Sequence, residues 1–282
     1  MKGGWLWRTS PRSTIQWSTI GESVGIYPNG RAVDGTKAAY AGNVETDGIA
    51  IGNIGINPLK GLDVQIWNYY VPQLFNTFLP KVELKKKKDQ VQWMAGVQYV
   101  WQKSLYNDTL AIHKQYISKD EQSHSLSARI SIKDLSRDDE WSINYTRITN
   151  KGRFLFPREW GVESFYTFMY RERMEGSGDV NAVMIQNQRP LNKSKKLSLQ
   201  SQAGIFWMPS VNNSTLNKYA MPSFYQANLR ARYKFTGFLQ GLQTDVLYAY
   251  KGSITKDLGE SPAYYHNKVD MHHVSVVVDY YF

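Results

Sequence analysis

The chain has 282 residues, enough for one large domain or two small ones, with 42% hydrophobic residues and a mean hydropathy of −0.48. No run of eighteen apolar residues occurs, which excludes a transmembrane helix, and the lack of cysteine excludes disulfides, thiolate metal sites and cysteine nucleophiles. The net charge of +10 allows anionic partners, but the basic residues form neither a block nor a helical stripe, which argues against nucleic acid.

Aromatic residues are unusually frequent, with 19 Tyr, 11 Phe and 9 Trp. Such side chains suit a membrane–water boundary, as in the aromatic girdles of outer-membrane barrels. A carbohydrate-binding β-sandwich is also rich in aromatic residues. Composition therefore leaves two classes of β protein open.

The N-terminal residues 1–46 are predicted to contain one strand at 5–17 followed by a long outer loop. No apolar segment follows Lys2, so a secretory signal peptide is not present in this numbering. An exported protein would have had its signal removed from this numbering or would begin farther upstream.

The rest of the chain is a series of segments in which apolar and polar residues alternate with the period of a β-strand. Each clear segment has about ten residues, the length of a tilted membrane-spanning strand, whereas sandwich strands average about five or six. The length therefore favours the barrel. The clear segments are 91–101, 126–133, 197–207, 226–235 and 271–282, and two segments with apolar residues on both faces lie near 49–56 and 180–186.

About eleven strands follow residue 47, and the N-terminal strand makes twelve, an even number that suits a closed barrel with both ends in the periplasm. The predicted fold class is all-β, a transmembrane antiparallel up-and-down β-barrel, with residues 1–282 as a single domain. The last strand ends with Tyr280 and Phe282. This ending resembles the C-terminal signal through which outer-membrane barrels engage the barrel-assembly machinery.

Short and long connections alternate along the chain, as in barrels with short periplasmic turns and long outer loops. Because the chain is expected to end in the periplasm, the long connections are placed outside, and Gly259 in the last of them is expected to be accessible from the cell surface. One outer connection, near 72–76, is short. The short turns are 58–61, 86–90, 134–139, 190–195 and 236–241, and the long connections are 11–46, 104–120, 150–178, 209–221 and 252–268.

The most distinctive stretch is Phe-Leu-Phe-Pro-Arg-Glu-Trp-Gly at 154–161, followed by Phe-Tyr-Thr at 165–167 and by the charged segments 171–176 and 178–180. With the hairpin rhythm around it, this stretch resembles the substrate-selective porins of the OprD family, over residues 45–282. That family consists of monomeric barrels of about eighteen strands. The resemblance therefore implies that this chain corresponds to the C-terminal two-thirds of such a barrel.

In that family, a column of basic side chains on one wall of the pore guides carboxylate-bearing solutes. The alternate positions Arg230, Arg232 and Lys234 fit such a column, and Arg129 with Lys133 offers a second set. The alternative is that these are wall charges neutralised by neighbours. If the turn pairs residue 235 with residue 242, Arg232 lies opposite Asp245, where a salt bridge can form.

Charged residues of both signs lie in or beside the longest outer loop. Such a loop can fold inward and narrow the pore, or it can stay in solvent with its charges paired to one another. The small residues Gly96 and Gly204 on the inward faces of their strands are expected to leave room for water. The charged residues of the candidate constriction loop are Arg158, Glu159, Arg171, Glu172, Arg173 and Glu175.

An enzymatic interpretation is disfavoured. The length and strand number are similar to those of outer-membrane phospholipase A, but His124 and Ser125 are neighbours in a strand and point to opposite faces. The adjacent His272 and His273 cannot share a metal ion for the same reason. His266 lies in a loop and is not expected to be a ligand. The sequence therefore predicts no catalytic residue, no metal site and no cofactor.

The resulting prediction is a porin of a Gram-negative outer membrane that lets small hydrophilic solutes, anionic or carboxylate-bearing, diffuse down their gradients. Its expected partners are outer-membrane lipid, small anionic or amphoteric solutes and the barrel-assembly machinery, with no nucleic acid. Two alternatives stay open: a non-conducting barrel that acts as an adhesin or scaffold, and an outer-membrane hydrolase.

Overall fold

Strands account for most of the secondary structure in the computed structural model, which describes residues 1–11, 14–107, 109–255 and 269–282. The first seven strands are β1 (Lys2–Leu6), β2 (Arg8–Thr9), β3 (Ser18–Thr19), β4 (Ile49–Leu59), β5 (Leu62–Val71), β6 (Phe75–Lys88) and β7 (Val91–Ser104). The remaining seven are β8 (Gln122–Asp134), β9 (Asp139–Ile148), β10 (Val180–Pro190), β11 (Leu197–Trp207), β12 (Phe224–Lys234), β13 (Leu242–Ser253) and β14 (Met271–Tyr280). The helical elements are α1 (Ile20–Ser23) and three 3₁₀ turns, Ile112–Lys114, Arg158–Trp160 and Gly237–Leu239.

Twelve of these strands form one antiparallel sheet in which each strand pairs with its neighbour in the chain, in the order β1, β4 and then β5 to β14. This arrangement confirms the all-β, up-and-down fold class and the count of twelve strands. The edges of the sheet are β1 and β14, and no ladder joins them within the described parts of the chain. The twelve strands therefore do not close into a barrel by themselves, and the closed twelve-stranded barrel is not observed.

The strands have the lengths expected for tilted membrane strands, with 14 residues each in β6 and β7 and 10 in β14. The strand predicted at 5–17 is wrong. Strand β1 ends at Leu6, and β2 pairs with β3 in a separate small sheet. Pro11 lacks the N–H that a sheet ladder needs, and the Trp7 carbonyl instead accepts a hydrogen bond from the Ile20 N–H at 3.2 Å.

The connections follow the predicted alternation, with short turns at one end of the sheet and long connections at the other. The short turns are 60–61, 89–90, 135–138, 191–196 and 235–241, and the long connections are 7–48, 105–121, 149–179, 208–223 and 254–270, with a short one at 72–74. Residues 256–268, which include Gly259 and His266, lie outside the described residues. No helix in the described ranges is long and apolar enough to cross a membrane.

The two faces of the sheet differ in polarity because successive side chains of a strand point in opposite directions. The face defined here as outer exposes aliphatic residues such as Ile130, Ile143 and Val276, which are 62%, 60% and 61% exposed. The opposite, inner face carries polar residues such as Ser127 and Asn144, which are buried. Apolar residues exposed over a wide surface are expected only where lipid or a partner covers them.

The structure explains why the segment 180–186 is apolar on both faces. Its inward side chains Val180, Ala182 and Met184 are fully buried in a cluster that includes Phe165 and Met169 of the connection 149–179. This part of β10 is covered on its inner face, so apolar residues are favoured on both sides.

Candidate functional site

The connection 149–179 lies across the inner face of the sheet. Its Tyr166 hydroxyl donates a hydrogen bond to Glu83 on β6 at 2.8 Å, and its Thr167 hydroxyl is 2.7 Å from that of Thr146 on β9. Farther along, the Tyr170 carbonyl accepts from the side chain of Gln226 on β12 at 2.7 Å. One loop thus spans the inner surface from β6 to β12.

Two glycines make this crossing sterically feasible. A Cβ atom at Gly96 would lie 2.5 Å from the Tyr166 hydroxyl, and one at Gly204 would lie 2.9 Å from the sulfur of Met169. The expectation that these glycines leave room for water is therefore wrong. They make room for side chains of the inward-folded loop.

The loop encloses an apolar cavity against the first strands of the sheet. The cavity has a volume of about 120 Å³ and lies between strands β4 to β7 and the segment 154–164. Aromatic rings form much of its wall, and the ring centroids of Phe75 and Trp160 are 6.0 Å apart. Other lining residues include Ile51, Tyr69, Val100, Phe154 and Phe156.

Two glutamates of the predicted constriction loop are buried in ion pairs. Glu172 pairs with Lys251 on β13, and Glu175 pairs with Lys218 of the connection 208–223, where Nζ and Oε1 are 2.8 Å apart. All four side chains are at most 2% exposed. These charges anchor the loop and are shielded from any passing solute.

Of the other charged residues of the loop, Glu159 is also buried, and Arg158 and Arg173 are half-buried. The Glu159 carboxylate accepts from the backbone N–H groups of Gly25 and Tyr27 at 3.1 and 2.9 Å. The Arg158 guanidinium donates to the Pro28 carbonyl at 3.0 Å, which also ties the loop to the N-terminal connection. Arg173 donates to the Gly161 carbonyl within the loop, and Arg171 is exposed.

Sequence reasoning missed the cluster around Lys218. Its ammonium lies over the rings of Tyr40, Tyr116 and Tyr219 at 4.8, 4.4 and 5.1 Å from the ring centroids. These residues come from three outer connections, and Glu175 comes from a fourth. Burial alone would raise the pKa of Glu175, but the charges of Lys218 and Arg158 and the hydrogen bonds from Lys218 and Tyr219 together lower it. The partners are far apart in sequence, so no local pattern indicates them.

The basic residues of the predicted column lie on the inner face, and acidic residues compensate most of them. Arg230 and Arg232 both bind Asp245, with Nε–carboxylate distances of 2.5 and 2.9 Å. Arg129 and Lys133 pair with Glu140 and Asp138 at 2.6 and 2.5 Å. Lys234 makes no ion pair with a residue that the structure describes.

The register across the last short turn, 235–241, is the one considered from the sequence. The Phe235 N–H donates to the Leu242 carbonyl at 2.9 Å, and Arg232 lies opposite Asp245. The Arg230 guanidinium also lies 4.5 Å from the ring centroid of Tyr170 and donates to its hydroxyl. The inward loop and the basic wall therefore meet at Arg230.

A second pocket, of about 270 Å³, lies at the short-turn end of the inner face. Six basic and two acidic residues line it, so it has an excess of positive charge. The charged lining residues are Lys133, Asp138, Glu140, Arg189, Lys195, Lys196, Arg232 and Lys234.

The residues considered for catalysis are not brought together. His124 lies on the outer face, where its Nδ1 is 2.6 Å from the Tyr99 hydroxyl, whereas the neighbouring Ser125 is buried on the inner face. Among the described residues, no group of three or more His, Asp or Glu side chains could hold a metal ion. At the C-terminus, the rings of Tyr280 and Phe282 are exposed, with centroids 5.7 Å apart.

Comparison with solved structures shows the fold. Acinetobacter baumannii OccAB2 matches with a TM-score of 0.69 at 12% identity, over 99% of this chain and 62% of that one. Acinetobacter baumannii OccAB3 matches with a TM-score of 0.69 at 14% identity, over 99% and 63%. Pseudomonas aeruginosa OpdK, solved with vanillate, matches with a TM-score of 0.65 at 9% identity, over 99% and 63%.

These structural neighbours are outer-membrane porins of the OprD/Occ family, so the chain has the strand architecture of a porin barrel. The chain spans less than two thirds of the length of these neighbours. No family model matches the sequence, and no curated protein is similar enough in sequence to match.

Proposed function

We propose that this chain forms most of the wall of an outer-membrane porin of the OprD family, through which small carboxylate-bearing solutes diffuse down their gradients. One observation carries the proposal: the loop that crosses the inner face meets the basic wall at the contact between Tyr170 and Arg230. A loop that narrows a pore beside a cationic wall would select anions at the narrowest point.

The inner face also has two chemically different sides. The apolar side is the cavity between the segment 154–164 and the long-connection end of β4 to β7, and it is aromatic, whereas the basic side is the pocket at the short-turn end of β8 to β12. A solute with an apolar body and a carboxylate could contact the two sides in turn as it passes. Vanillate, the compound present in the structure of OpdK, is an aromatic carboxylate of this kind.

The proposal is tested by recording single-channel currents of the purified protein in planar bilayers. Replacing Arg230 and Arg232 together by Gln should lower the anion-to-cation permeability ratio at low salt, and the difference should shrink as salt rises. The matched control is Lys87→Gln/Lys193→Gln, which removes one charge from the short-turn end of β6 and one from the turn 191–196. Unchanged reversal potentials at low salt in the arginine variant would show that the wall charges do not act on solutes.

Vanillate supplies an independent test of the solute class. Added to the bath, it should reduce the current more than formate at equal concentration, because only vanillate can also contact the apolar side. Equal effects would limit the proposal to small anions in general. A folded protein that never conducts would instead support the scaffold alternative, which the rigid packing of the outer connections around Lys218 favours.

A further inference from the structure

A polar pocket opens on the outer face of the sheet, just beyond its apolar band. It has a volume of about 660 Å³, and its lining includes the acidic Asp120, His124 on β8, Arg147 on β9 and Thr149 directly after β9. Both strands expose aliphatic side chains farther from the long connections, at Ile130 and Ile143. The pocket therefore lies at the end of the outer face where the chain leaves the apolar zone.

Aromatic residues mark this level on the outer face. Trp101 on β7 lies directly opposite His124 on β8. Tyr99 lies opposite Leu126, which lies opposite Arg147 on β9, so Tyr99 is at the level of Arg147. Exposed Tyr and Trp residues occupy membrane–water interfaces in barrels. The pocket is thus at the height of lipid headgroups in the outer leaflet, if the barrel has the proposed orientation.

Basic groups outnumber acidic ones at the pocket, which two basic residues and Asp120 line. Arg147 binds Asp179 at 2.6 Å, and the exposed Lys151 lines the pocket without an ion pair to any described residue. Lys103 is exposed on the same face, opposite Gln122 in the register, and is likewise without an ion pair in the described ranges. Arginine has five N–H donors, and its contacts with Asp179 and the Val180 carbonyl leave others available.

Two polar atoms at the site also lack partners within the described chain. The Tyr99 hydroxyl is hydrogen-bonded to Nδ1 of His124, and no described residue forms a hydrogen bond with its Nε2. The Thr149 hydroxyl is buried and makes no hydrogen bond. Buried polar groups are normally satisfied, so the Thr149 hydroxyl points to a polar ligand, and Nε2 of the half-buried His124 is available to the same ligand.

We propose that this pocket binds the phosphate-bearing headgroup of a lipid in the outer leaflet. The inference rests on the proposed location in an outer membrane. Two lysines and an arginine around an imidazole and a hydroxyl match the charge and the acceptor oxygens of a phosphate ester. The aromatic residues below the pocket would contact the acyl chains of the same lipid.

Native mass spectrometry of the purified protein in a neutral detergent tests the proposal, with phosphatidic acid as the probe. Lys103→Gln/Lys151→Gln should weaken retention of phosphatidic acid by about thirtyfold, since cations near a membrane surface each strengthen binding several-fold. The control Lys87→Gln/Lys193→Gln, with the same change in charge, should leave retention within about twofold. An equal loss in both variants would overturn the proposal.

Two further measurements define the ligand. Diacylglycerol, which lacks the phosphate, should not be retained, and inorganic phosphate at the same concentration should not displace phosphatidic acid. Retention of diacylglycerol would refute phosphate recognition, and displacement by inorganic phosphate would assign the site to free anions.

His124→Phe should weaken retention, whereas His272→Phe, which removes the equivalent contact with Tyr248 on another hairpin, should not. Equal losses in these two variants would exclude a site centred on His124. Single-channel conductance should be unchanged in Lys103→Gln/Lys151→Gln. A protein that never conducts but still shows the lipid difference would refute the porin proposal and leave this one standing.

Discussion

The clearest test of the basic wall is to remove the acid that compensates it. Asp245 binds both Arg230 and Arg232, so this group of three side chains has a net charge of +1. Asp245→Asn keeps the size and a hydrogen-bond acceptor, and it raises the net charge to +2. If the two arginines act on passing ions, the pore should become more selective for anions.

The size of the effect follows from Coulomb's law. An ion that passes roughly 8 Å from the carboxylate interacts with it by about 0.5 kcal/mol in water. At about 0.01 M salt the Debye length is about 30 Å, so about 0.4 kcal/mol remains. Anions should then be enriched about twofold and cations depleted about twofold, which changes the permeability ratio by roughly fourfold.

The assay is the reversal potential of single channels in a salt gradient, at low salt and again near 1 M. At about 1 M the Debye length is about 3 Å, and the difference from the parent should vanish. Asp134→Asn is the matched control, because Asp134 lies at the short turn 135–138, where its carboxylate accepts a hydrogen bond from the Ser136 hydroxyl at 2.6 Å. Heat-modifiable gel mobility checks that each variant is folded. An unchanged ratio at low salt, or a shift that persists at high salt, would refute the reasoning.

The remaining predictions concern the loop and the outer face. Lys251→Met should lower the free energy of unfolding by about 3–5 kcal/mol, because it leaves the Glu172 carboxyl buried without its partner; adding Glu172→Met should restore much of the loss in a denaturant titration. Val276→Arg on the outer face should cost about 2–4 kcal/mol in lipid vesicles, and the inward Ser275→Arg much less; equal costs would contradict the assignment of the faces. Burial raises the pKa of Glu163 to about 8. The protonated carboxyl therefore stabilises the folded loop at low pH, and this stabilisation is lost as the pH rises through about 8. Current noise from the loop should therefore increase from about pH 6 to about pH 9, and an identical increase in Glu163→Gln would disprove the role of this carboxyl.

Much of the fold could be predicted because its signal is local. A strand alternates its side chains between two faces at every residue, so the segments 91–101, 197–207 and 271–282 indicated both the strands and their lipid-facing sides. Short turns fix the register of the hairpins that they join, which is why Arg232 could be placed opposite Asp245. The strand at 5–17 failed because the alternation was followed through Pro11, which cannot donate to a ladder.

The site depended on contacts between residues that are distant in the chain. The sequence identified a charged loop, but it could not distinguish a solvated loop from one folded across the sheet. That choice was decided by the pairing of Glu175 with Lys218 and of Glu172 with Lys251, across 43 and 79 residues. Gly96 shows the same limit. In the sequence this glycine suggests open space, and only the structure shows that Tyr166 of the loop fills it.

From residue 47 onward, the sequence by itself thus determined the strands, their two faces and their order, because each hairpin is specified by its own alternation and turn. Only the tertiary structure decided which face the long loop covers, which charges are compensated and that the twelve strands do not close on themselves. The physical reason is that a buried charge is tolerated only where a partner is supplied. The position of that partner is a property of the assembled sheet, which no single segment encodes.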